Sequence, residues 1–180
     1  MRTRKITECA IMIALAAVLH MIKLFSMPQG GAVTLASMVP LIIISYRHGI
    51  KWGVLTASTF AFLNMVLGFY APPAGDVLSY ILVVLLDYVI AFGVLGLADL
   101  FRKGIGNRLI GLVFSTLIVC VFRFSCHFAS GMLIWGVYAK EGQSVAAYSL
   151  IYNGPYMLVE TIISVVVIVG LTKLIKQIVT

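Results

Sequence analysis

The sequence predicts an all-α protein: an integral membrane bundle of six transmembrane helices with both termini in the cytoplasm. Of its 180 residues, 62% are hydrophobic and 11% are charged, and the mean hydropathy is +1.10. Soluble domains are typically about 45–50% apolar and about 25% charged. The apolar residues form six runs separated by Gly and Pro, and the basic residues collect on one predicted side. We therefore expect residues 1–180 to form a single transmembrane domain.

The first three segments run from about Ile6 to Phe25, from about Val33 to Tyr46, and from Trp52 to Phe69. The first follows three basic residues, as in a signal peptide, but it is too long and lacks a clear cleavage site. We interpret it as the first transmembrane helix. The second is shorter than the roughly 20 residues that a span needs, so we expect the loop before it to continue into the membrane. The breakers here are Pro28, Gly30, Gly31 and Gly49.

The last three segments run from Leu78 to Phe101, from Leu109 to about Trp135, and from Tyr152 to Ile175. Each is long enough to cross a bilayer. Helix-breaking residues precede or separate them. These are Pro72, Pro73, Gly75, Gly104, Gly106 and Gly142.

The basic residues set the predicted orientation. Six spans put both termini on one side of the membrane, and ten of the 13 Lys and Arg residues fall on that side. The positive-inside rule makes it the cytoplasmic side, and we attribute the net charge of +7 to this topology rather than to nucleic-acid binding. Lys23 and Lys140 fall on the opposite side, and Arg123 lies within a span. The ten are Arg2, Arg4, Lys5, Arg47, Lys51, Arg102, Lys103, Arg108, Lys173 and Lys176.

Four residues of the fifth segment recur every four positions: Arg123, His127, Gly131 and Trp135. A helix stacks residues at this spacing along one face. Exposing a cation and an imidazole to lipid is expensive, so the stripe predicts a cavity lined by these side chains, with Gly131 leaving space. Taken alone, His127 would be a packing histidine and Trp135 an anchor at the membrane interface.

Asp87 lies midway along the fourth segment, where a carboxylate costs about 2.5–3.5 kcal/mol on insertion scales. Its side chain must face the bundle, water or a cation. From the sequence, two interpretations stay open: an interhelical salt bridge with Arg123, or a ligand site.

More aromatic and polar residues fall in the same outer half of the predicted bundle. Together with the acid and the imidazole, they would suit a flat heteroaromatic ligand, including a cationic one, through stacking and directed hydrogen bonds. They are Tyr70, Tyr80, Tyr88, Tyr148, Tyr152 and Asn153.

Enzymatic interpretations have little support in the sequence. It contains neither the phosphate-loop pattern G-x-x-x-x-G-K-[ST] nor HExxH, and no dense acidic cluster for a metal. Ser125, Cys126 and His127 are adjacent, but consecutive helical residues point about 100° apart and do not form a dyad by adjacency. An intramembrane hydrolase is thus an unsupported alternative.

Several stretches carry a family resemblance: LLDYVIAFGVLGLADLF, RFSCHFASGMLIWGVYAKEG and AYSLIYNG, supported by TECAIMIALAAVLHMI and SMVPLIIISYRHGIKWG. Over nearly its whole length the chain resembles the thiamine-specific substrate-binding S-components of energy-coupling factor (ECF) vitamin transporters. The resemblance implies a six-helix bundle in a bacterial plasma membrane that binds thiamine in an outward pocket. It also implies a membrane coupling subunit and two cytoplasmic ATPases as partners, with no enzymatic activity and no cofactor in this chain.

The resemblance also implies roles for individual residues. Asp87 takes the place of a family glutamate that contacts the ligand, and Ala10 and Ala14 match a small-residue motif that docks on the coupling subunit; by spacing alone, these alanines would simply pack inside the bundle. The remaining positions match pocket residues. They are His127, Trp135, Tyr148 and Asn153 on the aminopyrimidine side, and Tyr88, Gly131 and Arg123 near the thiazolium and its hydroxyethyl arm.

The chain also departs from the family pattern. Asp87 is one methylene shorter than the family glutamate, and Gly31 stands where some relatives place a tryptophan. We expect the pocket either to have a weaker lid or to be covered by Phe25, Tyr70 or Tyr80 instead. The alternatives are an S-component for a thiamine precursor or another vitamin, and a solitary ion-coupled carrier with Asp87 and His127 as proton sites.

Overall fold

The computed structural model describes residues 2–172, and over that range the chain is mostly helical. The helices are α1 (Arg2–Met21), α2 (Met38–His48), α3 (Ile50–Leu67), α4 (Val77–Arg102), α5 (Arg108–Leu133) and α6 (Val145–Gly170). Two short strands, β1 (Lys23–Ser26) and β2 (Ala32–Thr34), pair antiparallel between α1 and α2. Lys173, Lys176 and the predicted end of the sixth segment at Ile175 lie outside the described residues.

Four of these helices, α3 to α6, are long and apolar enough to cross a membrane. The length and composition of these four helices therefore confirm the prediction of a helical membrane protein. The short helix α2 has 11 residues and cannot by itself cross a hydrocarbon core of about 30 Å, so a second span would have to include the hairpin that precedes α2. All of its residues from Met38 to Tyr46 are buried, so α2 is a core helix around which the others pack.

The connection between α1 and α2 differs from the prediction. The first helix was expected to reach Phe25 but ends at Met21, and Phe25 lies exposed in β1. Val33, expected to begin the second helix, lies in β2 and pairs with Phe25. A tight turn in which the Gly30 amide donates to the Met27 carbonyl, 3.2 Å away, reverses the chain. Short apolar runs do not distinguish strand from helix.

The sixth helix begins at Val145 rather than at the predicted Tyr152. Ser144 caps it, because its hydroxyl accepts a hydrogen bond of 3.2 Å from the Ala147 amide. Tyr148 and Asn153 therefore project from the same helix, together with Tyr152.

Helix α4 is irregular where it packs on α3. A Cβ added to Gly96 would lie 2.3 Å from the backbone of Gly53, so these two backbones touch. The Ser45 hydroxyl donates to the Gly96 carbonyl at 2.6 Å, and the helix tightens into a 3₁₀ turn over Val94–Leu97. Close packing against α2 and α3 thus fixes the depth at which α4 presents its side chains.

Two of the basic residues predicted to be cytoplasmic, Arg47 and Arg102, make contacts at one end of the bundle. Arg47 at the end of α2 pairs with Glu8 of α1 at 2.7 Å. Arg102 at the end of α4 lies over the Tyr46 ring, 5.7 Å from its centroid. These contacts bring the start of α1 and the ends of α2 and α4 together. The count of six spans and the orientation of the termini remain predictions.

Candidate functional site

The described residues enclose a cavity of about 510 Å³ between the β1–β2 hairpin and helices α1, α3, α4, α5 and α6. Ligand pockets typically measure about 300–1,000 Å³. The structure brings together all eight residues predicted to bind substrate, because each lines this cavity. They are Asp87, Tyr88, Arg123, His127, Gly131, Trp135, Tyr148 and Asn153.

Helix α4 presents Asp87 and Tyr88 from a π-helical turn over Val84–Val89. Such turns insert an extra residue, change the direction of the side chains, and occur often at functional sites. The Tyr88 hydroxyl accepts from the Tyr70 amide at 3.0 Å and donates to the Gly68 carbonyl at 3.3 Å. Tyr88 therefore holds the α3–α4 connection against the cavity.

The Asp87 carboxylate accepts hydrogen bonds from three side chains. Its Oδ1 accepts a hydrogen bond from Nδ1 of His127 at 2.9 Å. Its Oδ2 accepts hydrogen bonds from Oγ of Ser130 at 2.5 Å and from Nε1 of Trp135 at 3.1 Å. Hydrogen bonds to ionised groups are stronger than neutral ones. Asp87 therefore orients both the imidazole and the indole at the cavity wall.

The alternative of an Asp87–Arg123 salt bridge is wrong. Among residues 2–172, Arg123 makes no ion pair within 4.0 Å; its Nη1 donates to the Ala91 carbonyl at 3.3 Å. Its guanidinium carbon lies 3.9 Å from the centroid of the Phe92 ring. Helices α4 and α5 run antiparallel, and Asp87 lies opposite His127. Ala91, one turn after Asp87 on α4, therefore lies opposite Arg123, one turn before His127 on α5, and Phe92 is next to it.

Trp135 reaches the cavity by a different route from the one predicted. Helix α5 ends at Leu133, Ile134 has left helical geometry (φ −124°), and Trp135 opens a 3₁₀ turn. The four-residue spacing therefore describes one helical face as far as Gly131 only. The indole is held instead by its bond to Asp87 and by near-parallel packing on Tyr138, with ring centroids 6.4 Å apart.

Gly131 makes room for a protein side chain as well as bordering the cavity. A Cβ at this position would lie 2.2 Å from Oγ of Ser149, so the missing side chain permits close approach of α5 and α6.

The Asn153 side chain is hydrogen-bonded within the protein at both ends of its amide. Its Nδ2 donates to the His127 carbonyl at 3.2 Å, and its Oδ1 accepts from the Tyr156 hydroxyl at 2.9 Å.

Buried polar atoms without a hydrogen-bond partner mark the cavity wall. Leaving a buried donor or acceptor unpaired typically costs about 1–3 kcal/mol, and such atoms in a native protein call for an explanation. A ligand in the cavity would supply one. Within the described chain, four of them belong to residues that line this cavity: Nδ1 of His20, Nε of Arg123, Nε2 of His127 and the Tyr148 hydroxyl.

Sequence reasoning missed several of the wall residues. His20 lies near the end of α1 and packs edge-on against Phe92; an imidazole inside the first apolar segment was the available signal. Asn64 and Tyr156 gave no signal of their own. Of the proposed covering residues, Tyr70 lines the cavity, whereas Phe25 and Tyr80 are not part of its wall.

Ala10 and Ala14 are exposed on α1, while Ala16 and Ala17 are buried in the core. The two candidate docking residues therefore do not pack inside the bundle. They are available to lipid or to a partner.

Comparisons with known proteins agree on one family. A family model described as "Thiamine transporter protein (Thia_YuaJ)" matches residues 6–180. Thiamine transporter ThiT of Bacillus subtilis is 31% identical over 177 residues, covering 91% of this chain and 88% of that protein. Thiamine transporter ThiT of Lacticaseibacillus paracasei is 31% identical over 140 residues, covering 73% and 68%. The solved structure of ThiT from Listeria monocytogenes has a TM-score of 0.79 at 23% identity, covering 99% of this chain and 98% of that one, which shows the same fold.

Proposed function

The chain belongs to the thiamine transporter protein family (Thia_YuaJ), and on that premise we propose that it is the high-affinity thiamine-binding S-component of an ECF-type importer. The resemblance to the thiamine-specific family found in the sequence is confirmed by the family match. We place the protein in a bacterial plasma membrane, with six spans and both termini in the cytoplasm.

The observation that carries the proposal is the cavity of about 510 Å³, walled by aromatic rings and unpaired polar atoms. Thiamine joins a flat aminopyrimidine to a cationic thiazolium that carries a hydroxyethyl arm. Rings can stack on its planar parts, and the unpaired atoms can bond its polar edges. The Asp87 carboxylate, inside the same cavity, supplies negative charge for the cation.

We assign roles to the eight residues on this basis. Trp135 stacks on the ligand, and Asp87 offsets its positive charge. His127, through its unpaired Nε2, and Tyr148, through its unpaired hydroxyl, bond the aminopyrimidine edge. Both ends of the Asn153 amide are hydrogen-bonded within the protein, so Asn153 contributes by orienting its neighbours or by exchanging a bond when ligand enters.

The other three residues face the opposite part of the ligand. We assign Tyr88 and Arg123, which line the cavity, to the thiazolium and its arm. Gly131 permits the close packing of α5 and α6 that forms this part of the wall. Arg123 carries an unpaired Nε, which suits an oxygen at the end of the arm.

Transport requires partners. We propose that a membrane coupling subunit docks on α1 at Ala10 and Ala14, and that two cytoplasmic ATPases supply the energy. Both alanines are exposed on α1, and their small side chains support close approach of a partner helix. The chain itself would then need no cofactor and would catalyse no reaction.

Calorimetry on the purified protein tests the ligand. We expect thiamine to bind more tightly than its pyrimidine precursor, its thiazole alcohol, or unrelated vitamins such as riboflavin and biotin. Tightest binding of the precursor or of another vitamin would select that alternative S-component.

Uptake into proteoliposomes tests the mode of transport. We expect thiamine accumulation when the coupling subunit and both ATPases are present with ATP, and none with this chain alone. Accumulation driven by a pH gradient without ATPases would favour the solitary carrier, with Asp87 and His127 as its proton sites.

A further inference from the structure

The β1–β2 hairpin forms part of the cavity wall through its turn residues Gln29, Gly30 and Gly31. All four residues of β1 are exposed, and one of them, Lys23, also lines the cavity. The contacts that hold the hairpin are therefore the ones that a displacement of this part of the wall would have to break.

One face of α6 holds the hairpin at both ends. Tyr152, Tyr156 and Glu160 are spaced four residues apart, which aligns them along the helix. At the turn, the Tyr152 hydroxyl accepts from the Gln29 amide at 2.9 Å and from the Gly31 amide at 3.4 Å.

Between the two ends, the Tyr156 ring packs directly on Gly31. A Cβ added to Gly31 would lie 2.8 Å from that ring. The turn of the hairpin is therefore seated on α6 by contact as well as by hydrogen bonds.

At the root of the hairpin, the Glu160 carboxyl oxygen Oε1 accepts from the Thr34 amide and, at 2.7 Å, from the Thr34 hydroxyl. The Thr34 and Ser37 hydroxyls are 2.7 Å apart and share a hydrogen bond. Because Ser37 immediately precedes α2, the root is joined to the core helix.

The two attachments differ in burial. Thr34 and Glu160 are 2% and 5% exposed, whereas Tyr152 belongs to the cavity wall and is only partly buried. Separating Thr34 from Glu160 would leave the buried Thr34 amide and the Glu160 carboxyl without their hydrogen-bond partners, which is costly. The Tyr152 bonds, next to an open cavity, can be replaced by water. The attachments lie eight residues, or about 12 Å, apart along α6, so one can break without the other.

We infer that Glu160 is a fixed anchor for the hairpin and Tyr152 a releasable latch, so that ligand passage breaks the Tyr152 bonds while Glu160 keeps Thr34 in place. Both are positioning residues, and the inference rests on the proposed function. It also accounts for a carboxyl group buried in a membrane helix, a placement that is expensive unless the group is satisfied.

Hydrogen–deuterium exchange on the ligand-free, full-length protein in lipid nanodiscs tests whether Glu160 is a fixed anchor and Tyr152 a releasable latch. In the wild type we expect the Gln29 and Gly31 amides to exchange faster than the Thr34 amide. Tyr152→Phe removes the hydroxyl and keeps the ring, so exchange at the turn should rise about tenfold while Thr34 is unchanged. Tyr80→Phe, at an exposed tyrosine outside the cavity wall, is the matched control and should change neither.

The anchor is tested by a pair of variants at one position. Glu160→Gln keeps a carbonyl acceptor and should leave the Thr34 amide as slow as in the wild type. Glu160→Leu removes the acceptor and should speed exchange at Thr34 by about tenfold or more. If Glu160→Leu does not fold, Thr34→Val removes one of the two bonds and should speed exchange at residue 34 severalfold. Unchanged exchange at residue 34 in these variants, or equal acceleration of turn and root by Tyr152→Phe, would overturn the inference.

Ligand kinetics separate this inference from the proposed function. If thiamine binds, its dissociation, followed by intrinsic tryptophan fluorescence, should be about tenfold faster in Tyr152→Phe and unchanged in Glu160→Gln. An unchanged dissociation rate in Tyr152→Phe would overturn the latch. A failure of the wild type to bind thiamine would instead overturn the proposed function. The exchange rates of the ligand-free protein would still show whether Glu160 is the anchor and Tyr152 the latch.

Discussion

Asp87 of α4 and His127 of α5 are joined by a hydrogen bond of 2.9 Å between Oδ1 and Nδ1. The bond fixes the imidazole so that its other nitrogen, Nε2, is the ring atom without a partner among residues 2–172. Trp135 is bonded to the same carboxylate. A single acidic side chain therefore orients both the hydrogen-bonding group and the stacking group of the cavity.

The first prediction concerns the charge of this carboxylate. Asp87→Asn keeps the size of the side chain but removes the charge and turns an NH₂ group toward donors. We expect thiamine binding to weaken by about 10- to 100-fold, since hydrogen bonds to charged groups are worth about 1.5–3 kcal/mol. Calorimetry on the purified variant measures the effect.

Asp76→Asn is the matched control. Asp76 caps α4, is fully exposed, and lies outside the cavity; hydrogen bonds from Ser79 lower the pKa of its carboxyl. Asparagine caps helices about as well as aspartate, so stability and thiamine binding should stay unchanged. Equal weakening in both variants would show that loss of negative charge anywhere on the protein suffices, contrary to the proposed role of Asp87.

The second prediction concerns stacking. Trp135→Ala removes the indole from the cavity wall, and we expect thiamine affinity to fall by more than tenfold, as a stacking platform contributes about 1–3 kcal/mol. The chain has two tryptophans, and the other, Trp52 of α3, lies outside the cavity. Trp52→Ala should therefore bind thiamine as the wild type does. Unchanged affinity in Trp135→Ala would count against this cavity as the binding site.

The third prediction concerns the contact between α5 and α6. Gly131→Ala places a methyl group 2.2 Å from Oγ of Ser149, and overpacking of this kind typically costs about 1–3 kcal/mol. We expect a lower midpoint of thermal unfolding in detergent and weaker thiamine binding. Gly154→Ala on α6, where an added Cβ meets nothing within 4 Å, is the control. A midpoint lowered equally in both would mean that α5 and α6 do not approach closely at Gly131.

The fourth prediction separates binding from transport. Ala14 is exposed on α1 and remote from the cavity, so Ala14→Trp should bind thiamine normally in isolation. If the coupling subunit docks there, the bulky ring should abolish ATP-dependent uptake in the reconstituted complex. Val166→Trp on the exposed face of α6 is the matched control and should leave uptake intact. Normal uptake in Ala14→Trp would place the docking surface elsewhere.

Part of this structure was readable from the sequence because membrane helices follow simple rules. Hydropathy located α3, α4 and α5 closely, and the four-residue spacing of Arg123, His127 and Gly131 assigned them to one face. An aspartate within an apolar helix had to face the interior. Periodicity and polarity thus identified residues that the structure brings to one cavity.

The same rules failed where the backbone leaves regular geometry. Residues 23–25 and residues 33–34, which lie in the two strands of the hairpin, were assigned to helix ends because an apolar run of strand length carries no distinctive period. Trp135 was placed on a helical face that ends before it, at Leu133. Glu160 was not singled out at all, because its partner Thr34 lies far away in the chain.

The sequence by itself determined that this chain is a helical membrane protein and which polar side chains its apolar helices must turn inward, since each of those properties depends on local composition and spacing. Only the tertiary structure decided the partners: Asp87 with His127 rather than Arg123, Gly131 with Ser149, and Thr34 with Glu160. These pairings depend on the register and depth at which antiparallel helices pack. That register is set by close backbone contacts such as Gly53 on Gly96, which no local pattern encodes.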